Sequence, residues 1–158
     1  MEDHAVWLSP GEMAAWQGLI STQARLMAAL DEELADAHGL SLAEYEVLVH
    51  LSDAPEGARR MSELASLALV SPSGLTRRVD GLAAKGLICR QSCPSDRRGS
   101  LAVLTEEGRR RLVEAAPTHV AGVRRHLVDR LSPSELAVMA EALGRVALAL
   151  SPSPVAAD

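Results

Sequence analysis

The stretch from Ser71 to Thr105, SPSGLTRRVDGLAAKGLICRQSCPSDRRGSLAVLT, constrains the fold more than any other part of this chain. Ser71 is placed to cap a helix that starts at Pro72, and Gly86 closes that helix after Lys85. Leu75, Val79 and Leu82 recur at i, i+4 and i+7, so they predict its buried face. Leu87–Arg90 and Leu101–Leu104 read as short strands around a loop of Pro, Ser, Asp, Arg and Gly. A basic helix of this kind fits a DNA major groove, and the cationic hairpin beside it can reach a minor groove.

The rest of the chain reads as helical. It has no Phe, one Tyr and two Trp, yet 47 % of its residues are hydrophobic. An aliphatic core of Leu, Ala and Val favours helices packed on helices. Ser9-Pro10-Gly11-Glu12 opens a long helix striped by Trp16, Leu19, Ile20, Leu26, Met27, Leu30 and Leu34, and Gly39 ends it. Ser41-Leu42-Ala43-Glu44 is a capping box for a second helix, with Tyr45, Leu48, Val49 and Leu51 inward, and 53–57 breaks it. A short helix is expected over Ser62–Leu69; with the basic helix after it, this is a helix-turn-helix. Thr105 can cap a long helix that Pro117 should kink, and Ser132-Pro133-Ser134-Glu135 opens a last apolar helix. The fold class expected is mainly α with a small β-hairpin wing, a winged helix-turn-helix with helical dimerisation flanks. The divisions are 1–39, a dimerisation helix; 40–108, the DNA-binding domain; 109–150, further dimerisation helices; and 151–158, a disordered tail.

The net charge of −5 looks unfavourable for nucleic acid until it is mapped. Residues 59–111 carry eleven basic and five acidic side chains, a balance of +6, and the remainder carries −11. A cationic centre between acidic arms attracts phosphate on one face alone. Ser73, Thr76, Arg77 and Asp80 fall on or beside the outward face of the basic helix, where hydroxyls and a guanidinium suit base edges and phosphates. Arg77 or Arg78 could bind guanine in bidentate fashion. In Asp96-Arg97-Arg98-Gly99, an acid can fix one guanidinium while the glycine lets the turn project the other.

From about Leu40 to Gly108 the chain resembles the MarR family of winged helix-turn-helix regulators. The resemblance rests on Met61-Ser62-Glu63-Leu64-Ala65, Ser73-Gly74-Leu75-Thr76-Arg77, Lys85-Gly86-Leu87, and Asp96-Arg97-Arg98-Gly99 followed by Leu104-Thr105-Glu106-Glu107-Gly108. It implies a homodimeric repressor on double-stranded DNA with a pseudo-palindromic operator. Ser71, Ser73, Thr76 and Arg77 would read or position the duplex, Arg98 would enter the minor groove, and Asp96 would brace Arg98. It also implies release by a small aromatic or anionic effector, for which Trp16, Arg25, Tyr45 and His50 are the candidates. The apolar stripes of the first and last helices independently call for a second copy, being too long for so small a core.

Other chemistry finds little support. There is no phosphate loop, nucleophile elbow or zinc-protease motif, so neither an enzyme nor a cofactor is expected. His119 and His126 lie two helical turns apart, about 10 Å, too far to share a metal. Cys89 and Cys93 are too few for a disulfide framework; a redox-responsive regulator using them, or an interaction module without DNA binding, are the alternatives. No window nears the roughly 18 apolar residues of a membrane span, and the acidic start is unlike a secretory signal, so a cytoplasmic location is expected.

Overall fold

The computed structural model describes residues 7–93 and 96–150, without the side chains of residues 96–98. The expected tail at 151–158 lies outside the described residues. In chain order the elements are α1 (Pro10–His38), α2 (Leu42–Ser52), β1 (Ala58–Arg60), α3 (Met61–Leu67), α4 (Pro72–Ala84), β2 (Ile88–Cys93), β3 (Asp96–Leu104), α5 (Glu106–His126) and α6 (Pro133–Leu150). This is the mainly helical winged fold that the patterning predicts.

Local hydrogen bonding sets the helix starts. Ser9 with Glu12 and Ser41 with Glu44 each form a complete capping box, in which hydroxyl and carboxylate satisfy one another's orphan amides. Gly39 ends α1 in the left-handed region at φ +63°. Beyond it, Lys85 at the end of α4 donates to both Glu44 oxygens at 2.8 Å and to the Gly39 carbonyl at 3.1 Å, tying α4 to the α1–α2 corner.

Glu44 should make this corner acid-sensitive. Burial pushes its carboxyl up, but the Lys85 ammonium and the Ser41 amide and hydroxyl outweigh that and hold it below the ordinary 4.5. A lowered folded pKa gives stability that is present above the unfolded value and lost as pH falls through the folded one. Glu44→Gln keeps the capping box and removes the charge, so its urea midpoint should vary less with pH on the acid side than that of the parent chain.

The core lies where α2, α3, α4 and the sheet meet. Leu34, Leu40, Val47, Leu48, Leu51, Leu64, Leu75, Val79 and Leu82 are fully buried in it. On α2 the inward set differs from expectation at three positions: Leu42 and Val47 are buried and Val49 only half-buried. Three departures concern the winged unit. The helix expected over Ser62–Leu69 is Met61–Leu67, because Leu69 turns into the left-handed region at φ +50°. Both wing strands run longer than their apolar residues indicate, since backbone pairing carries on through Gln91↔Leu101 and Ser92↔Ser100. A third strand, β1, pairs antiparallel with β3 (Arg59↔Ala102), giving the order β1-β3-β2 and an anchored wing.

Two compact units contain residues 1–122 and 123–158. α5 is one helix through Pro117, which sits on its exposed side, where water can reach the carbonyl that proline leaves without a donor. Thr105 caps it as expected: its hydroxyl accepts from the Gly108 amide at 3.0 Å and donates to the Gly86 carbonyl at 2.8 Å. Within the second unit, Ser132 and Glu135 form the expected reciprocal cap, Ser132 Oγ accepting from the Glu135 amide at 3.3 Å. α6 has no buried residue, although it carries Val138, Leu143, Val146, Leu148 and Leu150.

Candidate nucleic-acid interface

α4 presents two faces. Leu75, Val79 and Leu82 are at most 1 % exposed, so the opposite side is fixed toward solvent. Ser71, Ser73, Thr76, Arg77 and Asp80 are exposed there, and Arg78 is half-buried. Ser71 is the N-cap, accepting from the Gly74 amide at 3.2 Å, with Ser73 Oγ another 3.2 Å away. Its oxygen is therefore part of the helix start, and the Gly74 position is tight because a Cβ there would lie 3.2 Å from it. Thr76 donates to the Pro72 carbonyl at 2.9 Å, which leaves its oxygen free to accept. Among the described residues no group pairs with Arg77 or Arg78, whereas Asp80 is held by Arg90 at 2.7 Å.

That ion pair links the helix to the wing. Arg90 lies on β2 opposite Ala102 of β3, and its guanidinium reaches the Asp80 carboxylate and the Thr76 carbonyl at 3.5 Å. A cleft of about 420 Å³ opens beside it, lined by Arg60, Ser62, Thr76, Arg90, Gly99 and Ser100. Guanidinium and hydroxyl groups converging there can take phosphate oxygens. Of the residues lining the cleft, Thr76 and Gly99 are among those the sequence singles out; Arg60, Ser62 and Arg90 are not. In sequence Arg90 reads only as the end of a strand, and strand register is the signal that places it toward α4. The backbone of Asp96, Arg97 and Arg98 belongs to β3, while the bracing of Arg98 by Asp96 lies outside the described residues.

The effector candidates separate. Tyr45 and His50 line a cleft of about 280 Å³ with Glu46, Leu67, Leu69 and His119. Trp16 and Arg25 are exposed on α1 and do not line it. Tyr45 is buried and stacks on His119, ring centroids 4.7 Å apart. Burial holds the His119 imidazole below its ordinary pKa against the opposing pull of Glu46. His119 lies 74 residues beyond Tyr45, so no helical spacing brings it to this cleft, and Glu46 falls outside the apolar stripe of α2. Cys89 is exposed and Cys93 buried, and neither forms a disulfide. No group of three or more His, Cys, Asp or Glu among the described residues could hold a metal, and no described helix is long and apolar enough to cross a membrane.

A helix-turn-helix with a basic, exposed second helix, followed by an anchored β-hairpin, defines a winged helix-turn-helix protein. Residues 38–99 match the family model described as MarR family. The chain is 32 % identical over 114 residues to the HTH-type transcriptional regulator MhqR of Bacillus subtilis (strain 168), covering 70 % of this chain and 74 % of that one. It is also similar to two solved MarR family transcriptional regulators of Streptomyces coelicolor. Sco3205, solved in complex with DNA, aligns with a TM-score of 0.89 at 37 % identity, over 97 % of this chain and 96 % of that one. AbsC aligns with a TM-score of 0.86 at 38 % identity, over 92 % and 98 %. The chain belongs to the MarR family of DNA-binding transcriptional regulators.

Proposed function

We propose that this chain acts in the cytoplasm as a homodimeric repressor on a pseudo-palindromic operator. In each subunit α4 lies in a major groove, where Ser73, Thr76, Arg77 and Arg78 meet bases and phosphates and the Ser71 cap supports the helix start. The wing carries Arg97 and Arg98 to the adjacent minor groove, with Asp96 bracing and Gly99 turning the loop. Arg60 and Arg90 add phosphate contacts in the cleft between helix and wing. The observation that carries this reading is the exposed Arg77, unpaired among the described residues, opposite a fully buried Leu75–Val79–Leu82 stripe. Dimerisation is supported by α6, which has no buried residue, and by Trp16, Leu19 and Ile20 on α1, each more than 40 % exposed.

A small effector in the Tyr45–His50 cleft modulates DNA binding. Leu67 and Leu69 line that cleft just before the Ser71 cap, so an occupant touches the segment that sets where α4 begins. Fluorescence anisotropy with a random-sequence duplex at increasing salt tests the DNA side. With six to ten phosphates neutralised per dimer, affinity should fall by roughly 10³- to 10⁵-fold between 50 and 200 mM salt. An interaction module without DNA binding would give no signal even at the lowest salt.

A further inference from the structure

We propose that Asp80 is a positioning residue for DNA binding: its carboxylate holds the Arg90 guanidinium at the rim of the cleft between α4 and the wing, aimed at a phosphate. This deepens the DNA-binding reading above and rests on it for the duplex that Arg90 meets.

Asp80 is an acid on the exposed face of α4, one helical turn beyond Thr76. A lone carboxylate there would repel the phosphate backbone. This one is paired: its Oδ1 lies 2.7 Å from Arg90 Nη2, and the same nitrogen donates to the Thr76 carbonyl at 3.5 Å. Arg90 comes from β2, where its register opposite the fully buried Ala102 directs it to the α4 side of the sheet. A single guanidinium from the wing therefore bridges two successive turns of α4.

Both contacts use Nη2. The N–H groups of Nη1 and Nε have no partner among the described residues, and Arg90 lines the cleft with Thr76, Gly99 and Ser100. A guanidinium keeps its charge while one nitrogen is engaged, so the remaining donors can take phosphate oxygens. Arg77 has no such anchor among the described residues and must be ordered by the DNA. Arg90 is ordered beforehand, which lowers the entropy lost on binding. With side chains 36 % and 60 % exposed, the ion pair adds little to folding stability. Its effect is on DNA.

Fluorescence anisotropy of the full chain on a duplex that the parent selects from random DNA tests this, with Asp80→Ala, Arg90→Gln and the double variant. Plain electrostatics expects Asp80→Ala to bind tighter, since it removes a negative charge from the face that meets phosphate. It should instead bind about fivefold weaker, because Arg90 loses its anchor. Arg90→Gln should bind about tenfold weaker, equally on single-base variants of the duplex, with the salt slope reduced by about one per subunit. In the Arg90→Gln background the sign reverses: the stranded carboxylate only repels, so adding Asp80→Ala should strengthen binding. Thermal midpoints should stay at the parent's value. Tighter or unchanged binding by Asp80→Ala, further weakening in the double variant, a loss confined to particular bases, or unfolding of either single variant would each overturn the proposal. If the parent binds duplex and these expectations fail, the DNA-binding reading stands; if the parent binds no duplex at low salt, both fall.

Discussion

Gly108→Ala is expected to lower folding stability by about 3 kcal/mol, at the upper end of what overpacking a tight site costs. A Cβ at this position would overlap the Leu87 carbonyl oxygen and lie 2.8 Å from Leu104 Cδ1 and 3.0 Å from the Leu87 carbonyl carbon. The Leu87 backbone cannot retreat. Its amide donates to the Leu82 carbonyl at 3.0 Å and its oxygen accepts from Thr105 at 3.1 Å, so moving it would release the end of α4 and the start of α5 together. Gly144→Ala is the control. Among the described residues of one subunit nothing lies within 4 Å of that Cβ, and in a helix interior alanine is favoured by roughly 0.5–1 kcal/mol. Urea unfolding at one fixed protein concentration should therefore move the two midpoints in opposite directions. A Gly108→Ala midpoint equal to that of the parent chain would mean that α5 does not seat on Leu87 as described.

The second large effect concerns DNA. Arg77→Ala should cost about 1–3 kcal/mol on the preferred duplex, roughly 5- to 150-fold in affinity, and relax preference at one base pair per half-site. Arg98→Ala should weaken binding evenly across sequences and reduce the salt slope by about one per subunit. Arg77 is exposed and has no partner among the described residues, so its removal should leave thermal stability unchanged. Gel shifts against a panel of single-base operator variants separate the two patterns. Identical losses for both variants on every duplex would assign Arg77 to phosphate instead of base.

What could be read from sequence here is what short-range chemistry decides. Ser9 with Glu12, Ser41 with Glu44, and Ser132 with Glu135 are capping boxes whose partners lie three residues apart, so their signal needs no tertiary structure. The Leu75–Val79–Leu82 stripe is likewise local, and it settles which side of α4 faces out. β1 is three residues long and exists because β3 offers a free edge; neither Arg59 nor Arg60 carries a strand signal of its own. Leu69 illustrates the opposite failure. Its apolar side chain extended the predicted helix, while the backbone had already turned at φ +50° and left it 91 % exposed.

The site divided in the same way. Arg77 and Thr76 could be placed by helical periodicity. Arg90 could not, because its role comes from the Asp80 contact between a strand and a helix. The Tyr45–His119 stack joins α2 to α5, and no spacing rule reaches across that distance in sequence. In sequence His119 reads only as a metal candidate beside His126, whereas its neighbours make it one wall of a cleft.

Hydroxyl-radical footprinting on a duplex selected by this chain from random DNA tests the central claim most directly. A homodimer that places one α4 and one wing per subunit should protect two equivalent regions related by a two-fold axis, their centres about one helical turn, some 34–36 Å, apart. Each should combine a major-groove contact with an adjoining minor-groove contact. A single protected patch without symmetry, or uniform cleavage along the duplex, would contradict it.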